Sequence, residues 1–253
     1  MHKLVGVLSI IWKLYIAIIF FVIAILMYPF FLIVLLRPIW KKKSFKLFIL
    51  WSWMMRILCF YRIKTIESAE LPEGPYVIVS NHTSYLDIFF MHSILPKFPF
   101  VFLGKSELLH YPIIRTYFKN LNIPVYRNDK RKSGQAYLLS EKAVKEGWSL
   151  VIFPEATISN VDCPKMLPFK HGAFKLAKTL NIPILPLTFT SNYKLFSDPT
   201  NIFGPAQPGV SRLYIHPYIS VETINKLEVL ELTQKCFDII NRPILEEFPQ
   251  FKD

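Results

Sequence analysis

From Leu14 to Leu36 the chain runs for 23 residues without a charged side chain. At about 1.5 Å per residue, a helix of that length reaches roughly 34 Å, enough for a hydrocarbon core of about 30 Å. The run is too long for the apolar part of a cleaved signal peptide and no small-x-small cleavage site follows it, so it reads as a retained membrane anchor. Pro29 permits a kink or a break into two shorter pieces. Arg37, Trp40, Lys41, Lys42, Lys43 and Lys46 follow directly, an aromatic-and-basic collar of the kind found where a protein meets anionic lipid. If the helix spans, the basic excess on its C-terminal side puts the rest of the protein in the cytoplasm.

The charge distribution supports the same reading. Residues 1–66 hold ten Lys and Arg and no Asp or Glu, so they supply +10 of the formal net charge of +12. Basicity that coincides with the most apolar part of the chain points to a membrane surface and away from nucleic acid. With 52% hydrophobic and 19% charged residues, a disordered chain is excluded. A second apolar stretch places Leu47, Leu50, Trp51, Met54, Met55 and Leu58 at helical spacing. It reads as a helix in or against the interface, paired with the first as a hairpin, with a core helix of the globular domain as the alternative. Glu67, Glu70, Pro72, Glu73 and Gly74 then mark a change of character. The expected organisation is a two-helix membrane motif over 1–66 and one α/β domain over 67–253.

Beyond Pro75, short β-rich runs alternate with helical ones. Strands are expected at Tyr76 to Ser80, Phe100 to Leu103, Ile123 to Tyr126, Ser149 to Phe153, Ile184 to Thr188 and Arg212 to Ile215. Helices are expected at Leu86 to Leu95, Glu107 to Lys119, Gly134 to Lys145, Gly172 to Leu180 and Leu227 to Ile240. This alternation predicts a mainly parallel, twisted sheet flanked by helices, with ligands bound beyond the carboxyl ends of strands. After the first strand stands Asn81-His82-Thr83-Ser84-Tyr85-Leu86-Asp87. A carboxylate five residues beyond an imidazole can fold back to accept its proton, fixing the tautomer so that the other ring nitrogen serves as a base. Asp87 as a simple helix-start residue is the plainer alternative.

Further blocks follow: Ile123-Pro124-Val125-Tyr126-Arg127, Phe153-Pro154-Glu155-Ala156-Thr157-Ile158-Ser159 and Ile182-Pro183-Ile184-Leu185-Pro186-Leu187. In order and spacing the four blocks resemble the glycerolipid acyltransferase family that makes phosphatidic acid from 1-acylglycerol 3-phosphate. Asn81 to Asp87 is similar to its N-H-x-S-x-x-D signature and Phe153 to Ser159 to its F-P-E-G-T-R-S block. Phe102 to Leu108 and Pro168 to Ala173 also resemble family segments, and the paired N-terminal helices resemble the membrane-docking hairpin of bacterial members.

The resemblance implies transfer of a fatty acyl group from a thioester, acyl-CoA or acyl carrier protein, to the free hydroxyl of a lysophospholipid, with no cofactor. It implies His82 as general base, Asp87 as its orienting partner, Lys105 and Arg127 as phosphate ligands, and Glu155 with Thr157 as positioning groups for the acceptor head group. Two positions depart from the family pattern in the third block, where Ala156 replaces Gly and Ile158 replaces Arg; Leu121 stands where the second block usually has Gly. Lys165 or Lys170 either replaces the lost charge or is a solvated loop lysine. The departures leave other acceptors open, such as lyso-ornithine lipid or another lysophospholipid, and a catalytically silent lipid-binding relative is the reading from a different class. Arg115, Lys119, Lys130, Arg131 and Lys132 form a second basic cluster, solvent-facing or a dock for an acidic carrier protein or a CoA phosphate. Cys59, Cys163 and Cys236 contain no C-x-x-C pair, and no metal site is expected.

Overall fold

A computed structural model describes residues 2–126, 129–158 and 163–251. The first apolar run becomes helix α1, His2–Leu35. Pro29 lies inside it on the exposed side, and of the kink or break it permits, the break does not occur: the helix continues through it. A 3₁₀ turn at Pro38–Trp40 leads to α2, Lys43–Leu58. Strand β1, Tyr61–Ser68, follows. It was not expected from the sequence, and it runs across the anticipated boundary at Ile66.

The remaining elements alternate as β2 (Val77–Ser80), α3 (Leu86–Ile94), β3 (Phe100–Lys105), α4 (Pro112–Leu121), β4 (Ile123–Val125) and α5 (Lys130–Lys145). They continue through β5 (Ser149–Ile152), α6 (Gly172–Leu180), β6 (Ile184–Phe189), α7 (Asn192–Leu195), β7 (Gly209–Ile215), α8 (Val221–Lys226) and α9 (Val229–Glu247). The seven strands form one sheet in the order β1-β7-β6-β2-β5-β3-β4. Every pairing is parallel except β6 with β7.

The central strands explain the topology. β2 and β6 are buried at every position, and β5 at all but its last. Strands with both faces covered favour runs of Val, Ile and Leu over alternation, and here they carry helices on both sides. β1, at the sheet edge, instead alternates a buried Tyr61 and half-buried Ile63 with exposed Arg62 and Lys64.

The N-terminal helices are packed onto this domain along their length. Phe31, fully buried, meets Tyr117 edge-to-face at 4.8 Å and Phe48 at 4.7 Å between ring centroids; Trp51 meets Tyr117 at 5.2 Å. Such aromatic pairs each contribute roughly 0.5–1.5 kcal/mol beyond area burial. The Tyr117 hydroxyl donates to the Ala24 carbonyl at 2.8 Å, and near the other end of α1 the Lys13 ammonium donates to Ser197 Oγ at 2.9 Å. The opposite side of α1 remains bare, with Ile18, Val22, Ile25, Leu26 and Ile33 exposed, and α2 adds Leu50, Trp53 and Ile57. α2 thus closes a core with one face, as the alternative reading of it expects, and leaves a second apolar face exposed.

Candidate active site

Strand β2 ends at Ser80, and the five residues before α3 fold around one carboxylate. Asp87 Oδ2 accepts from the backbone N–H of Thr83 at 2.8 Å and of Ser84 at 2.9 Å, and lies 3.1 Å from His82 Nδ1. Asp87 Oδ1 accepts from the Asn192 amide at 2.7 Å. Asp87 is fully buried. With both of its oxygens accepting, the Asp87 carboxylate places the proton of the His82 ring on Nδ1. Nε2 is then the ring nitrogen with a lone pair to offer. The ring itself is stacked on Phe153, with 4.2 Å between centroids and 20° between planes, so its orientation is set by packing as well as by the hydrogen bond.

The loop after β5 supplies the second brace. Glu155 Oε1 accepts from the His82 backbone N–H and Oε2 from the Leu167 N–H, each at 2.7 Å. Burial pushes the carboxyl up to about 7, against the lowering by these two donors. Both oxygens are occupied, so Glu155 ties the His82 loop to the segment before α6. Its neighbour Ala156 has a positive φ of 64°, the left-handed conformation for which Gly is the usual residue. The family's Gly at this position thus has a conformational reason, and Ala156 adopts the same backbone at a cost.

His82 lies on the wall of an apolar cavity of about 320 Å³. Its walls come from Phe20 of α1, Trp51 of α2, Phe89 of α3, Phe102 of β3 and Tyr117 of α4. Lys105, Thr157 and Ile158 border the same space. His92 also lines it, packed against Phe45, Phe48 and Phe100, and burial holds its imidazole down at about 3, in the neutral form. The lining combines an exposed cation, an imidazole and a predominantly apolar wall, a combination that suits an amphiphilic ligand.

Of the residues expected at the site, His82, Asp87 and Glu155 are hydrogen-bonded together, and Lys105 and Thr157 border the cavity. Arg127 lies outside the described residues. Lys165 and Lys170 are exposed, and neither lines the cavity. Sequence reasoning missed Asn192, 105 residues from its partner, and Phe153, whose ring position no spacing rule reports. Among the described residues no group of three His, Cys, Asp or Glu is placed to hold a metal.

Residues 62–190 match the family model described as Acyltransferase. Over 204 residues the chain is 32% identical to the chloroplastic 1-acyl-sn-glycerol-3-phosphate acyltransferase BAT2 of Brassica napus, covering 79% of this chain and 56% of that one. It is 31% identical over 189 residues to the 1-acyl-sn-glycerol-3-phosphate acyltransferase of Saccharomyces cerevisiae, covering 73% and 60%. The chain spans roughly half to three fifths of the length of the curated relatives it matches. The crystal structure of the 1-acyl-sn-glycerophosphate (LPA) acyltransferase PlsC from Thermotoga maritima has the same fold, with a TM-score of 0.77 at 20% identity over the whole of both chains.

Proposed function

The chain belongs to the acyltransferase family, and from that premise we propose that it transfers a fatty acyl group from a thioester to the free hydroxyl of 1-acylglycerol 3-phosphate, giving phosphatidic acid. The observation that carries this reading is His82, oriented by buried Asp87, on the wall of an apolar cavity that also meets Lys105.

His82 Nε2 takes the hydroxyl proton as the oxygen attacks the thioester carbonyl carbon. The tetrahedral intermediate collapses with cleavage of the C–S bond, and the departing thiolate receives the proton from the imidazolium. Asp87 keeps the Nδ1 proton in place and stabilises the transient positive charge of the ring. Lys105 and Arg127 bind the phosphate, Thr157 borders the acceptor, and Glu155 ties the His82 loop to the segment before α6. Acyl-CoA or acyl carrier protein is the donor substrate, and no cofactor takes part. Purified protein supplied with both labelled donors and a panel of lysolipids tests the reading. Wild type should form labelled phosphatidic acid and His82→Ala should not; equal product from both would sink the assignment.

A second acceptor class is favoured by one observation. Ile158, standing where the family has Arg, borders the cavity as an apolar side chain. With one cation fewer at the phosphate end, a lysophospholipid with a larger head group or a lyso-ornithine lipid becomes an acceptor, and the same panel includes both.

The protein sits on the cytoplasmic leaflet, with α1 lying along the membrane rather than crossing it. The support is the packing of α1 on the domain from Lys13 to Phe31, which leaves one apolar face for lipid. The basic collar suits the anionic cytoplasmic surface.

A further inference from the structure

Adjoining the catalytic cavity, with Asn122 in the lining of both, lies a larger cleft of about 1160 Å³. Lys41 and Lys42 enter it from the turn between α1 and α2, Arg115 and Lys119 from α4, and Lys142 from the last turn of α5. Glu146 is the acidic residue among its described lining, and it stands 3.9 Å from Lys142. Among the described residues Lys41, Lys42, Arg115 and Lys119 form no ion pair. Lys41 is half-buried, its ammonium 5.8 Å from the Trp148 ring centroid, and desolvation lowers its pKa against a partial offset from Glu146, which Lys142 in turn opposes. A cation deprived of water without a full counter-charge favours an anion beside it. The floor is different in kind, because Val101, Leu121, Ile123 and Trp148 are buried apolar groups. Ile39, in the turn after α1, lines the cleft while 84% exposed, and Leu36 just before that turn is 76% exposed.

A basic rim above an apolar floor, opening beside a lipid-facing surface, fits an amphiphile better than a free anion. We propose that this cleft binds the phosphate head group and the first carbons of an anionic phospholipid, at a site separate from the catalytic cavity. Lys105 does not line it, and neither does His82. The ligand is a leaflet lipid that is held and not consumed, and it fixes the enzyme's residence on anionic membrane. The assignment rests on the docked orientation proposed above for which face meets lipid.

The test uses the full chain and vesicles of phosphatidylcholine with or without phosphatidylglycerol. Arg115→Ser/Lys119→Ser is compared with Lys43→Ser/Lys46→Ser, which removes equal charge from the collar outside the cleft, and both are first matched to wild type in unfolding midpoint. Removal of two cations from an anionic surface contact weakens partition about 30-fold. The collar variant should show that loss on phosphatidylglycerol vesicles through surface attraction alone, and the cleft variant a loss about tenfold larger, because it also removes the ligands of a held head group. Equal losses in the two variants would mean diffuse surface attraction and overturn the site. Wild type that binds neither kind of vesicle would overturn the docked orientation instead. A second arm adds inorganic phosphate or CoA to wild type without vesicles; a rise in unfolding midpoint that the cleft variant lacks would assign the cleft to a soluble phosphate and overturn the lipid.

Discussion

Asn192 donates from Nδ2 to Asp87 Oδ1 at 2.7 Å, filling the one carboxylate oxygen that the His82 loop leaves open. The bond joins the start of α7 to the start of α3 and is buried at both ends. Without it, Asp87 Oδ1 would be a buried acceptor lacking this donor, and the carboxylate would be positioned through Oδ2 alone. A hydrogen bond to a buried charge is worth roughly 1.5–3 kcal/mol, so Asn192→Leu should lower kcat by about 10- to 100-fold. The acceptor KM should stay within about twofold, because the residue meets Asp87 and not the substrate. Unchanged kcat in a folded variant would remove Asn192 from the machinery.

Glu155 makes folding depend on pH in a defined sense. Its carboxyl is raised from 4.5 to about 7, so between these values the folded chain binds more protons than the unfolded one. Its contribution to stability is present in full below pH 4.5 and is lost as the pH rises to about 7. We predict that Glu155→Gln lacks this slope: relative to the variant, wild type should lose about 3 kcal/mol across the window. Chemical denaturation of both proteins at a series of pH values measures the difference. A parallel pair of curves would contradict it. The variant should also be slow, since its amide presents a donor to one of the two backbone N–H groups that the carboxylate satisfied.

The left-handed backbone at Ala156 gives a substitution expected to stabilise. That conformation costs an L-residue roughly 1–2 kcal/mol, while Gly adds about 0.4–1 kcal/mol of freedom to the unfolded chain. Ala156→Gly should therefore raise Tm by about 1–3 °C in a chain of this size. Thermal unfolding in detergent decides it, and a lower Tm would show that the turn is not strained.

The two faces of α1 should respond differently. Ile25→Ser/Leu26→Ser/Ile33→Ser alters side chains that are more than half exposed. It should weaken vesicle partition by at least about 30-fold and leave the unfolding midpoint within about 1 °C. Phe31→Ala, on the buried face, should cost about 3–5 kcal/mol of stability. If the outward triple variant partitions like wild type, the bare face does not meet lipid.

Much of the architecture was legible because it is written locally. The expected α6 matches the observed helix residue for residue, and the buried strands β2, β5 and β6 announce themselves as short runs of Val, Ile and Leu. His82 and Asp87 were legible because five residues separate them and a β–α turn returns the chain on itself. β1 was missed although Tyr61 and Ile63 alternate with Arg62 and Lys64; its basic residues joined it to the collar in sequence, while its pairing with β7 lies about 150 residues away. Pro29 signalled an interruption, but an exposed proline forfeits one backbone bond without forcing the packed rod to separate. Asn192 carries no local signal for its role. A single amide far downstream becomes part of the site only once β6 has brought α7 to the end of β2.

The share of the cavity wall contributed by Phe20 and Trp51 has a consequence for biogenesis. The lining that would accept an acyl chain is completed by the same helices whose outer faces suit lipid, so a newly made chain has no closed acyl compartment until α1 and α2 have docked on α3 and α4. Under the function proposed above, the order of assembly then acts as a safeguard: an acyl donor meets an incomplete pocket in any copy whose N-terminal helices have not yet docked on the domain.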